Sequence, residues 1–150
     1  MKFGVYTLVL ENHLKRLPNF HFEFGWGNGY ILLPYNHPLY GIHYNDIQVN
    51  IHGGLTFSEN FNSDNFLRWT KNRKILGDVT LENYKKFDNY WIIGFDTNHS
   101  GDDLITCSEN YVLSETQNLL EQCLSMDIDG MEKYLTVYLR KDKLNKINSI

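Results

Sequence analysis

The sequence predicts an α+β fold: a mixed or antiparallel β-sheet with one long packing helix. Three observations predict it. Short apolar or alternating runs of strand length recur along the chain, clusters of glycine and proline separate them, and a single amphipathic stretch over 115–126 has helical spacing. At 150 residues the chain has the size of one domain, able to bury about 70% of the surface its unfolded form exposes. One core over 1–150 is expected.

The elements follow in order. Residues 3–10 are apolar and β-branched enough for a first strand. Phe20, Phe22 and Phe24 alternate with His21 and Glu23, Gly25-Trp26-Gly27-Asn28-Gly29 reads as a turn, and Tyr30-Ile31-Leu32-Leu33 returns, so a hairpin is expected. Pro34, His37-Pro38 and Gly41 mark a loop held by Tyr35, Leu39 and Tyr40. Ile47, Val49 and Ile51 alternate with Gln48 and Asn50, which predicts a third strand running into His52-Gly53-Gly54. Residues 58–89 turn polar, with a short helix around 81–87, and read as an insertion or lid. Tyr90-Trp91-Ile92-Ile93-Gly94-Phe95 is a continuous apolar run, as in a strand buried on both faces. Ser114 offers an N-cap to a helix over 115–126, whose apolar stripe is Leu119, Leu120, Cys123 and Leu124. Residues 127–150 read as a C-terminal extension in which Tyr134 to Leu139 fit either a strand or a short helix.

Composition narrows the function classes. Hydrophobic residues make up 42% and charged residues 21%, far from the composition of chains that stay unfolded. A net charge of −4 argues against a protein that tracks long nucleic acid, because that binding neutralises phosphates with Lys and Arg. Lys71-Asn72-Arg73-Lys74 and the basic residues of 140–146 read as solvated faces. No apolar run is long enough to span a membrane, and the start lacks the pattern of a secretory signal. Two cysteines, Cys107 and Cys123, form neither a disulfide framework nor a zinc-knuckle spacing. A cytoplasmic protein with reduced thiols is the expectation.

Chemistry concentrates in two stretches. His52-Gly53-Gly54-Leu55-Thr56 sets an imidazole beside two glycines whose N–H groups can form an anion-binding nest. Asp96-Thr97-Asn98-His99-Ser100-Gly101-Asp102-Asp103 gathers acids, a histidine and hydroxyls just past a buried strand. Three uses are open: an acid/base pair of His99 with Asp96 or Asp102, a hard-metal site, or a hydrogen-bonded clamp. His37 and His43 could converge with His52 and His99, although no metal motif on a helix is present. Trp26, Asn28, Tyr30, Tyr35 and Tyr40 offer aromatic faces and an amide suited to a base or sugar. No Gly-x-Ser-x-Gly elbow and no phosphate loop occur.

Gly29-Tyr30-Ile31-Leu32-Leu33-Pro34, His37-Pro38-Leu39-Tyr40-Gly41, His52-Gly53-Gly54-Leu55-Thr56-Phe57 and Gly94-Phe95-Asp96, followed by His99 and Gly101-Asp102, resemble a family of small bacterial and phage proteins. Its members share these motifs in this order, and the match spans residues 29–102. The segment between Phe57 and Tyr90 is longer than the family pattern, as is the chain after Met126. The resemblance carries no established reaction and leaves a bacterial or a phage context open; small phage proteins with polar pockets include sponges for nucleotide immune signals.

The first reading is therefore a binding protein that sequesters a small nucleotide-derived ligand, a host immune signal in the anti-defence case, in the host cytoplasm. Its ligand-binding residues would be Trp26, Asn28, Tyr30, His37, His52, Gly53, Gly54, Thr56, Asp96, Asn98, His99 and Asp102. The alternative is a hydrolase or lyase acting on a phosphorylated small molecule, with His52, His99, Asp96 and Asp102 in acid–base roles or around a divalent metal. The first needs no cofactor. A third reading is a protein-interaction module using the aromatic hairpin, and a homo-oligomer is compatible with all three.

Overall fold

The computed structural model describes residues 4–13 and 23–126. The expected strand arm at Phe20 and Phe22, the Tyr134 to Leu139 stretch and all of 127–150 lie outside the described residues. Strands β1 (Tyr6–Glu11), β2 (Gly27–Leu33), β3 (Phe57–Asn60), β4 (Ile75–Gly77) and β5 (Trp91–Phe95) form one antiparallel sheet in the order β3-β5-β2-β1-β4. Helices α1 (Ser63–Trp69) and α2 (Glu109–Leu124) complete the α+β fold. Among the described residues no helix is long and apolar enough to cross a membrane.

β2 is the middle strand: Ile31 lies opposite Thr7 of β1 on one side and Ile93 of β5 on the other. Successive side chains point to opposite faces of a strand, and here both faces are covered. Val9, Ile31, Leu33, Ile93 and Phe95 pack with Val112, Leu119 and Cys123 of α2. Leu8, Leu10, Tyr30, Leu32 and Ile92 pack on the other side with Phe61, Phe66, Val79, Tyr84 and Phe87. That two-sided burial is why β2 and β5 read as unbroken apolar runs rather than alternating ones.

The stretch from 58 to 89 supplies much of the second face. It contributes most of β3, all of α1 and β4, and a 3-10 turn at Tyr84–Phe87. β4 closes one sheet edge against β1, with Leu76 opposite Val9, and β3 closes the other against β5. Asn62 caps α1 by accepting a hydrogen bond from the Asp64 N–H, and Asp88 accepts from both the N–H and the hydroxyl of Ser63. Sequence periodicity reveals neither edge strand because each is short and only half-buried.

Three sequence expectations are corrected. Gly27-Asn28-Gly29 is not a turn but the start of β2. Neither of these two glycines has a positive φ; they are needed for close approach, since a Cβ at Gly27 would meet the Leu10 carbonyl and one at Gly29 would meet Thr116 and Phe95. The 47–51 stretch is extended but pairs with no strand among the described residues. Its main chain is bonded by side chains of α2: the Gln122 amide oxygen accepts from the Asn50 N–H at 2.8 Å, while Gln122 and Asn118 donate to the Asn50 carbonyl at 2.8 and 3.1 Å. Alternating Ile47 and Ile51 are buried all the same, so the pattern is that of a strand without the ladder. Helix α2, finally, begins at Glu109 with Ser108 as N-cap, and Ser114 is an exposed residue inside it. Val112 and Thr116 extend the buried stripe back by two turns, whereas Leu124 is largely exposed.

The C-terminal end of α2 is held by His37. Its Nδ1 accepts from the Leu39 N–H at 3.1 Å, which leaves the proton on Nε2, and that nitrogen donates to the Cys123 carbonyl at 3.0 Å. A helix end leaves such carbonyls without internal partners.

Two predictions follow from this packing. Gly29→Ala forces a methyl between β2, Phe95 and Thr116, and should cost about 1–3 kcal/mol, as overpacking of a filled core does; urea unfolding reads it. Burial lowers the His37 pKa below its ordinary 6.5, so the unfolded chain binds more protons just below that pH. Stability should be full above about pH 6.5 and fall as pH drops through that value toward the folded pKa. The acid-side loss should shrink in His37→Gln, measured by urea melts at a series of pH values.

Candidate functional site

Two loops and α2 meet at one end of the sheet. The first loop enters from the Asn50 anchor and is fixed at His52, whose N–H donates to Glu115 Oε2 at 3.0 Å and whose Nδ1 lies 2.8 Å from the Tyr111 hydroxyl. Tyr111 and Glu115 stand one turn apart on the same helix face. The second loop leaves β5 and is tied to the start of β2. The buried Thr97 hydroxyl donates to the Gly27 carbonyl at 2.7 Å, and the Gly25 N–H donates to the Thr97 carbonyl at 2.7 Å. The loop then turns tightly, with the Asp102 N–H bonded to the His99 carbonyl at 3.0 Å and Gly101 at a φ of +90°.

Asp102 is the point of convergence. Its Oδ1 lies 3.0 Å from His52 Nε2, and its Oδ2 lies 2.9 Å from His99 Nδ1 and accepts from the His99 N–H at 2.9 Å. The Cys107 thiol donates to Oδ1 at 3.5 Å. Burial opposes ionisation of Asp102, but the His99 N–H and the two imidazoles outweigh it and hold its pKa below the usual carboxylate value. Asp96 closes the far side: Oδ1 lies 3.5 Å from His99 Nε2, and Oδ2 accepts from the Thr56 hydroxyl at 2.8 Å. The Asn98 N–H donates to Asp96 Oδ1 at 3.0 Å, and the Asn98 side chain accepts from Asn12 at 3.1 Å.

The protons of the cluster do not balance its acceptors. An ionised carboxylate only accepts, and a neutral imidazole has one N–H. His99 faces a carboxylate from each ring nitrogen, so with a single proton one nitrogen turns its lone pair toward an anion. A second proton or a bound cation removes that repulsion. One ligating nitrogen or oxygen from each of His52, His99 and Asp102 falls within 4.8 Å of the others, compatible with a shared metal ion. The partners of the outward nitrogens, the Tyr111 hydroxyl and Asp96, are the kind that orient metal-bound imidazoles.

Of the residues singled out in the sequence, His52, Gly53, Thr56, Asp96, Asn98, His99 and Asp102 are brought together. Gly53 lies under the His99 ring, where a Cβ would strike Cε1, and Gly54 adjoins open space. The others are placed elsewhere. Tyr30 is buried in the core on the opposite face of the sheet, with ring contacts to Phe57 and Trp69, and Asn28 precedes it by two on the same side of β2. Trp26 packs against the α2-side core, with its main-chain N–H bonded to the Cys107 carbonyl. His37 is the helix-end residue described above. His43 caps the 3-10 turn Tyr44–Asp46. Three residues escaped sequence reasoning as members of the site: Tyr111, which precedes the expected helix start, Glu115, and Cys107, whose thiol meets Asp102 of its own loop and lies 3.9 Å from His52 of the other. An N-terminus placed at Ser108 would have set Tyr111 and Glu115 on one face. Burial pushes the Cys107 thiol pKa up, so it is a thiol rather than a ready nucleophile.

Comparison of the chain with protein-family models, curated proteins and solved structures finds no match.

The glycines separate backbone strain from contact with the histidine. Gly53 and Gly54 have φ of +66° and +77°, so alanine at either should cost about 1 kcal/mol or somewhat more. Only Gly53→Ala should displace His99, read as a change in its imidazole nitrogen resonances that Gly54→Ala does not produce.

Proposed function

We propose that the protein is a metal-dependent hydrolase of a small phosphorylated molecule, with His52, His99 and Asp102 as ligands of one divalent cation. The observation that carries this reading is His99 set between two carboxylates, Asp102 at Nδ1 and Asp96 at Nε2, beside the convergence of its ring with His52 and Asp102. With a cation at the inward nitrogens, His99 Nε2–H would donate to Asp96 and its lone-pair repulsion would be removed, while His52 Nδ1–H would donate to the Tyr111 oxygen, a contact that is favourable in either tautomer. Two imidazoles and a carboxylate suit zinc, manganese, iron or cobalt, and three protein ligands leave positions for water and substrate. Such a cation lowers the pKa of a bound water and makes it a nucleophile near neutral pH.

Charge makes a phosphorylated substrate dependent on the cation. The cluster holds Asp96, Asp102 and Glu115, and none of the hydrogen bonds described for it comes from Lys or Arg. A phosphate would be repelled there until a divalent cation neutralised the site. The exposed Gly53 N–H has no hydrogen-bond partner among the described residues and can meet a substrate oxygen. Capture of a nucleotide at this centre without turnover has less support, because Tyr30 is on the other face of the sheet and no ring contact joins Trp26 to His52 or His99.

The test is calorimetric titration of chelator-stripped protein with zinc, manganese and cobalt, followed by assay of the loaded protein on aryl phosphomono- and diesters and on nucleotides. One equivalent should bind. His99→Ala and His52→Ala should abolish binding and turnover, and Tyr111→Phe should weaken the metal about ten- to a hundredfold through loss of an outer-shell partner. Turnover that survives chelation, or no metal binding by the folded protein, overturns the reading.

A further inference from the structure

The face of the sheet away from α2 carries a cavity of about 640 Å³ between β3, α1 and the Arg73 turn, within the range of small-molecule pockets. Its floor is apolar: Phe61, Phe66 and Ile92 are buried beneath it. Its wall is aromatic. Phe57 and Trp69 lie with ring centroids 6.1 Å apart and planes 22° from parallel, and Tyr30 meets both edge-on from behind at 5.6 and 5.0 Å. That backing fixes the ring surfaces the cavity exposes.

The rim is cationic. Arg68 is exposed and has no ion pair or hydrogen bond among the described residues. Arg73 is half-buried and fixed by bonds from Nε to the Glu11 carbonyl at 2.6 Å and from Nη1 to the Trp69 carbonyl at 3.2 Å, with the Tyr30 hydroxyl and the Glu11 carboxylate also acting on it, so Arg68 is the freer of the two cations. His13 adds an imidazole, and Glu59 is the one acid on the lining. In a chain whose net charge is −4, two guanidinium groups beside an aromatic wall run against the overall balance. A guanidinium binds phosphate through paired, charge-assisted hydrogen bonds, and a flat ring gains by stacking on an aromatic side chain.

From this combination we propose that the cavity is a binding site for a nucleoside monophosphate, its base against Phe57 and Trp69 and its phosphate at Arg68 with Arg73. The site is separated from the His52–Asp102–His99 cluster by the sheet and does not rest on the hydrolase reading.

The experiment is titration of the full chain, without added metal, with AMP, GMP, CMP and UMP, followed by intrinsic tryptophan fluorescence and by calorimetry. A saturable one-to-one isotherm that quenches fluorescence is expected, with adenosine binding about tenfold or more weakly than AMP because the charge-assisted contacts are missing. Arg68 is exposed, so Arg68→Glu should keep the fold and lose AMP binding, whereas His99→Ala should bind AMP as the parent does. Trp69→Phe, which keeps a ring in the wall, should bind with a reduced fluorescence change. The proposal is overturned if no monophosphate binds to folded protein at millimolar concentration, if Arg68→Glu binds AMP unchanged, or if binding is lost in His99→Ala instead.

Discussion

The close seating of α2 on the sheet at Gly29 is the constraint from which the rest of the α2-side architecture follows. With no side chain on β2 at that position, Thr116 and the Phe95 ring occupy the space a Cβ would need. The helix then lies near enough for its polar flank to serve as a partner for non-sheet backbone. Asn118 and Gln122 hold Asn50, Glu115 and Tyr111 hold His52, and the Cys123 carbonyl receives His37. Buried main-chain groups must find partners somewhere. Here one helix supplies them to a segment, 37–52, whose regular structure amounts to the single turn Tyr44–Asp46. The position of His52 is thus set by helix packing more than by the loop's own preferences.

That dependence also explains what could be read from the sequence. The α+β class, β1, the second half of β2, β5 and the stripe of α2 through Leu119 and Cys123 were legible because periodicity reports burial. The same signal misled at 47–51, where Ile47 and Ile51 are buried but the hydrogen bonds come from a helix; periodicity carries no information about who bonds the backbone. Glycine misled in a related way. Gly27 and Gly29 read as a turn because glycine tolerates positive φ, yet both serve close approach within a strand. The site residues His52, Asp96, His99 and Asp102 stood out through polar density beside an apolar strand. Tyr111 and Glu115 did not, since their role depends on the start of α2, and Tyr30 read as a ligand aromatic although its ring is turned to the opposite core.

Covering both faces of one sheet gives the molecule two chemically distinct rims. The α2 side ends in carboxylates and imidazoles, with no guanidinium in the hydrogen-bonded cluster. The opposite side, built largely from 57–90, ends in aromatic rings and arginines. Strand parity enforces the division, because residues adjacent in β2 or β5 point to different faces. Asn28 and Tyr30 therefore could not join the histidines without a one-residue slip, which would turn every apolar side chain of the middle strand the wrong way.

The carboxylate of Asp102 shows why the α2-side rim is more than a solvated loop. Desolvation disfavours its charge, and only a set of convergent donors reverses that preference. Two of the donors are imidazoles, and each is held from behind: His52 by the Tyr111 hydroxyl, which can donate or accept, and His99 by the carboxylate of Asp96. A structural network built only to satisfy a buried acid would gain nothing by facing His99 with a second carboxylate. The arrangement is balanced when one further positive charge sits among the three residues, as an added proton or as a metal ion. Glu115 and Asp96 add two further carboxylates around that position.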